Sequence, residues 1–187
     1  CMPKTPIPTK DRLIVALDVP STDEARDIVK ACGDSVSFYK IGHQLIPIGG
    51  LDLAQELIAD GKTVFLDFQF YDIGNTVKSG VASVAQLGCP LLTIHGDRDI
   101  IDGAVKGRGE SNLQVLAVTV LTSMDQANLE ELGYTGTVED LVLKRAGMAV
   151  EGGCDGIVAS AQEVVRLRKD LGDDFIIVTP GIRSAGV

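Results

Sequence analysis

Residues 63–76 read Thr63-Val64-Phe65-Leu66-Asp67-Phe68-Gln69-Phe70-Tyr71-Asp72-Ile73-Gly74-Asn75-Thr76. An apolar run ends on the carboxylate of Asp67, reaches a second at Asp72, and leads into a helical segment over residues 75–87. A near-continuous apolar run is the pattern of a parallel strand buried on both faces. The same pattern recurs at 13–19, 37–42, 91–96, 113–121, 156–160 and 176–182. Between these runs lie helical stretches at 22–31, 51–60, 138–150 and 161–171. Ser21 with Asp23 and Glu24 reads as an N-cap and an acidic first turn. Gly33, Gly61, Gly88, Gly152 and Gly172 stand near helix ends, where a left-handed residue is needed.

Strand alternating with helix predicts a parallel α/β architecture, either a doubly wound sheet or a TIM (β/α)8 barrel. No Gly-x-Gly-x-x-Gly follows the first strand, which weakens the dinucleotide-binding version of the sheet. Polar residues gather where strands end: Asp18, Lys40, Asp67, His95, Thr122, Ser123, Ser160 and Thr179. Barrel enzymes build their sites at that rim, so the barrel is favoured. A barrel takes roughly 250 residues. With 187 residues and seven strands, the expectation is a single barrel domain over residues 1–187, lacking the last βα unit.

Composition narrows the partners. Lys and Arg total 17 against 26 Asp and Glu, a net charge of −9, which disfavours nucleic acid and anionic membrane surfaces. Hydrophobic residues at 45% support a folded core, and the absence of Trp with aromatics at 4% predicts an aliphatic one. Cys1, Cys32, Cys89 and Cys154 are too scattered to pair as a metal or redox motif and read as free thiols of a cytoplasmic protein. No apolar stretch approaches the ~20 residues of a membrane span. Residues 1–10 read as a loose tail, with Cys1 before Met2 a remnant of expression or processing.

Two carboxylates a few residues apart at a strand end can act as an acid/base pair, hold a metal, or press charge on an anionic substrate. The plainer reading makes Asp72 or Asn75 the cap of the following helix. His43 and His95 are the only histidines, and His95 reads as a satisfied rim residue without a nucleophile beside it.

Residues 65–77 resemble the signature of the orotidine 5'-monophosphate decarboxylase family, bacterial type: Asp-x-Lys-x-x-Asp-Ile, then Asn-Thr. Ala16-Leu17-Asp18, Phe38-Tyr39-Lys40-Ile41-Gly42, Val120-Leu121-Thr122-Ser123 and Val178-Thr179-Pro180-Gly181-Ile182-Arg183 are similar to further family motifs in family order. The resemblance implies the barrel fold and the decarboxylation of orotidine 5'-monophosphate to uridine 5'-monophosphate, the last step of UMP synthesis. It implies Lys40, Asp67 and Asp72 as the catalytic charged array. Asp18 would hold the sugar, Thr76 would reach the ribose, Thr122 and Ser123 would lie on the pyrimidine, Arg183 would lie on the phosphate side, and Pro180 would be among the substrate-binding residues. Asp72 and Thr76 would enter the neighbouring subunit's site, implying a homodimer. No metal and no cofactor is implied.

One position departs from the signature. Gln69 stands where the family has its second lysine, which protonates the C6 carbanion left by carbon dioxide. A neutral amide is no general acid, so activity is expected to be impaired. The family's last phosphate-binding elements would lie beyond Val187, and an incomplete C-terminal end is the preferred explanation. Two alternatives stand beside this reading. One is a nucleotide-binding barrel without turnover. The other is a magnesium-dependent sugar-phosphate decarboxylase or aldolase of the same superfamily, in which an acid ends the second strand; Lys40 in that place would repel the metal.

Overall fold

In the computed structural model, residues 7–183 are described; Cys1 and the start of the tail lie outside them. The strands are β1 (Val15–Ala16), β2 (Phe38–Gly42), β3 (Thr63–Phe70), β4 (Leu91–His95), β5 (Gln114–Val118), β6 (Gly156–Val158) and β7 (Ile176–Val178). All pair in parallel and in sequence order, β1 through β7. The helices are α1 (Thr22–Cys32), α2 (Gly50–Ala59), α3 (Gly74–Val84), α4 (Arg98–Arg108), α5 (Gln126–Glu131), α6 (Val138–Glu151) and α7 (Val164–Leu171). This is a curled sheet wrapped by helices, the partial-barrel arrangement expected.

Alternation along each strand sorts its residues into two cores. Tyr39, Ile41, Val64, Leu66, Leu92, Ile94, Val115 and Ala117 point outward and pack against apolar helix faces such as Leu53, Val81, Ile101 and Ala146. Phe38, Phe65, Leu91 and Leu116 point inward and form a smaller cluster with Ile14, Val158, Ile176 and Val178. The core is therefore largely aliphatic on the helix side, with Tyr39 and Phe175 its buried aromatics, while two phenylalanines anchor the interior. Two residues further along the same strands the interior turns polar, with Lys40, Asp67 and Thr93. The apolar plug below thus supports a charged layer at the C-terminal ends of the strands.

Helix ends follow their sequence signals at several points. The Ser21 hydroxyl accepts from the Glu24 N–H at 3.2 Å, and Gly33 closes α1 at φ +53°. Thr137 and Asp140 form a capping box on α6. The strand and helix pattern did not reveal α4, and glycines explain why. Gly103 and Gly107 lie inside it, four residues apart, where they read as breakers. They are there because α3 and α4 touch backbone to backbone: a methyl on Gly103 would strike the Gly74 carbonyl, and one on Gly107 the Lys78 carbonyl. Cys32, Cys89 and Cys154 are free, and burial pushes the Cys89 thiol up to about 11 and Cys154 to about 12. Among the described residues, no helix is long and apolar enough to cross a membrane.

The α3–α4 contact yields a test. Gly103→Ala should destabilise the fold by about 1–3 kcal/mol through overpacking, read as a lowered urea midpoint. An unchanged midpoint would show that the helices can separate without loss.

Candidate active site

Lys40 ends the inward row of β2, and its ammonium needs partners because the chain around it is packed. Its Nζ lies 3.1 Å from Asp18 Oδ1 and 3.3 Å from Asp67 Oδ2. Lys40 and Asp67 side chains are only 19% and 18% exposed, whereas Asp18 is 54% exposed at the mouth. Gly42 makes room for the ammonium, since a Cβ there would sit 3.3 Å from Nζ. Lys40 thus places a cation between the two carboxylates. Among the described residues, no group of three or more His, Cys, Asp or Glu side chains could hold a metal.

The second oxygen of Asp67 is held from the other side. Thr93 Oγ1 donates to Asp67 Oδ1 at 2.8 Å, and the Gln69 amide Nε2 donates to the same atom at 3.3 Å. The β3–β4 register shifts here: Leu66 pairs with Leu92 and Phe70 with Ile94. Gln69 lies in that bulge at φ +47°, the one non-glycine residue of positive φ among those described. A left-handed non-glycine residue costs about 1 kcal/mol or more and clusters at functional sites. His43 Nε2 lies 2.9 Å from the Phe68 carbonyl, a further contact across the bulge.

Other predicted site residues lie on the rim. Asp72 is exposed and accepts from the Ile73 N–H at 2.7 Å. It does not cap α3, nor does Asn75; the Gly74 N–H is capped at 2.7 Å by Asp99 Oδ2, reaching over from α4. Thr76 is exposed on the first turn of α3, beside Tyr71 and Ile73, which are 70% and 69% exposed. Thr122 and Ser123 fall on the loop beyond β5, which ends earlier than the apolar run suggests; Thr122 lines a small cleft with Ser160. Pro180 and Arg183 are exposed past β7, where Arg183 donates to the Ile182 carbonyl at 2.9 Å. The structure therefore brings Asp18, Lys40, Asp67 and Gln69 into one cluster and arrays the remainder around the mouth.

Sequence reasoning missed Thr93 and Arg145. Thr93 carried a signal, a lone polar residue inside the apolar run Leu91–His95, two places from the inward Leu91. Arg145 donates to the Thr119 carbonyl at 2.9 Å and lies 3.4 Å from Asp97 Oδ1. A surface hollow lined by Arg108, Gln114 and Asp155 lies at the start of β5, the opposite end of the strands. There Arg108 pairs with Asp155, which also accepts from the Val115 N–H. It is a structural joint.

A family model described as Orotidine 5'-phosphate decarboxylase / HUMPS family matches residues 11–187. The chain belongs to that family. A protein of Afipia carboxidovorans named orotidine 5'-phosphate decarboxylase is 51% identical over 185 residues, covering 99% of this chain and 79% of the relative. One of Methylobacterium nodulans with the same name is 52% identical over 188 residues, with the same 99% and 79% coverage. The crystal structure of orotidine 5'-phosphate decarboxylase from Lactobacillus acidophilus superposes with a TM-score of 0.84 at 36% identity, covering 92% of this chain and 82% of that one. These matches agree with the barrel assignment and the family read from the motifs.

His95 packs edge-on against Tyr71 at 5.0 Å, and its pKa is lowered from 6.5 by burial first and by Arg145 second. The unfolded chain therefore takes up this proton at higher pH than the folded one. An NMR titration should find the His95 midpoint below 6.5, with stability falling as pH drops below that value. A midpoint above 6.5 would contradict this account of the rim.

Proposed function

We propose that the rim cluster binds orotidine 5'-monophosphate and that this chain is a cofactor-independent carboxy-lyase weakened at its proton-delivery step. The observation that carries the reading is the Asp18–Lys40–Asp67 array with Gln69 beside Asp67 at the C-terminal ends of the strands. In the reaction the C6–carboxylate bond breaks, carbon dioxide leaves, and the electron pair remains on C6 until a proton arrives. Asp67 facing the substrate carboxylate would crowd negative charge against it and favour its departure. Lys40 would offset the charge developing nearby. Gln69 fills the space and donates a hydrogen bond, but supplies neither positive charge nor a transferable proton.

Asp18 would hold the sugar, Thr122 and Ser123 would meet the pyrimidine, Arg183 would face the phosphate, and Pro180 would be among the substrate-binding residues. Asp72 and Thr76 would serve the site of a second copy. Support comes from their exposure and from the neighbouring Tyr71 and Ile73, apolar surface that a lone chain leaves in water. Light scattering should therefore find a dimer at micromolar concentration. A stable monomer that still binds nucleotide would contradict the shared site.

The direct test is Gln69→Lys, followed by the fall in orotidine monophosphate absorbance. General acid catalysis alone is worth about 10²–10⁴ in rate, so turnover should rise by at least that range while UMP binding persists in both forms. Equal turnover in the unsubstituted chain would show that another group protonates C6. Binding of UMP with no turnover in either form would identify a nucleotide-binding barrel.

A further inference from the structure

We propose that Thr93 is a positioning residue for the Asp67 carboxylate, transmitting to it the geometry of the β3 bulge. The proposal rests on the reading of Asp67 as the group that faces the substrate carboxylate.

Between the pairs Leu66–Leu92 and Phe70–Ile94, the residues Asp67, Phe68 and Gln69 all stand opposite Thr93 alone. A bulge of that size breaks the ladder and leaves backbone groups to be satisfied elsewhere. The Gln69 N–H donates at 3.0 Å to Thr93 Oγ1. A backbone N–H can only donate, so the hydroxyl oxygen is the acceptor and its single proton is free to go elsewhere. That proton goes to Asp67 Oδ1 at 2.8 Å, since an ionised carboxylate can only accept. The direction of both bonds is fixed by the chemistry of their ends.

Thr93 is fully buried, so on its side both bonds are shielded from bulk water. One hydroxyl therefore ties together the strained backbone at Gln69 and one oxygen of Asp67. Lys40 holds the other oxygen at 3.3 Å. Lys40 and Thr93 grip opposite oxygens from strands on either side of β3, with the Gln69 amide a longer donor at 3.3 Å to the oxygen Thr93 holds, and the carboxylate plane has little freedom to turn. A reacting group fixed in this way keeps its effect on the substrate; one allowed to rotate toward Lys40 loses it.

Thr93→Val keeps the side-chain shape and removes both bonds, while Thr93→Ser keeps both. In the Gln69→Lys chain, Thr93→Val should lower kcat about 10- to 100-fold with KM for orotidine monophosphate changed less than about threefold, and Thr93→Ser should recover most of the loss. Crystal structures of the unliganded Thr93→Val and Thr93→Ser chains ask the same question without turnover. Asp67 should rotate and Gln69 leave positive φ only in the valine form. Should that variant not fold, Thr93→Ala takes its place. An Asp67 and Gln69 unmoved without the hydroxyl, an equal loss in the serine form, or a loss carried by KM overturns the proposal. If no chain turns over the nucleotide, the decarboxylase reading falls, and the crystal structures alone decide the role of Thr93.

Discussion

Everything at the mouth of this barrel depends on one ammonium group held between two carboxylates. Lys40 lies inside the curled sheet, and a lysine there is tolerated only when its charge is met at close range. Asp18 just beyond β1 and Asp67 on β3 meet it from both sides, at 3.1 and 3.3 Å. The pairing joins three successive strands at their C-terminal ends and is eased by the bare Cα of Gly42, where a Cβ would sit 3.3 Å from the ammonium. Two carboxylates share this one ammonium. With Gln69 neutral, the layer presents an excess of negative charge to whatever enters the mouth.

The apolar plug below and the bulge beside it make that layer possible. Phe38, Phe65, Leu91 and Leu116 fill the lower interior. Lys40, Asp67 and Thr93, two residues further on, inherit the inward direction by alternation alone. The bulge then breaks the alternation at the point where a second side chain must approach Asp67. Gln69 reaches Asp67 only from a left-handed backbone position, a strain the surrounding sheet maintains.

Much of this was legible in the sequence, because both-faces-buried strands leave unbroken aliphatic runs and their polar endings mark the rim. Asp18, Lys40 and Asp67 stand out in that way, and the family came from the resemblance of residues 65–77 and four further motifs to its signature. What was not legible depends on contacts distant along the chain. The glycines of α4 look like breakers until α3 lies against them. Asp72 looks like a helix cap until Asp99 from α4 takes that place. Thr93 is one hydroxyl in an apolar run, and its importance arises only from a register shift in the neighbouring strand. Thr122 and Ser123 belong to a loop, because the apolar run continues past the end of β5.

The central claim is that the Lys40–Asp67 layer at the C-terminal ends of the strands is a nucleotide site. A crystal structure of the protein with UMP bound tests it most directly. The account predicts the pyrimidine over Asp67 and Gln69, with C6 in contact with the Gln69 amide and the ribose beside Asp18. A nucleotide bound away from this layer, as in the hollow lined by Arg108 and Asp155 at the opposite end, would contradict it.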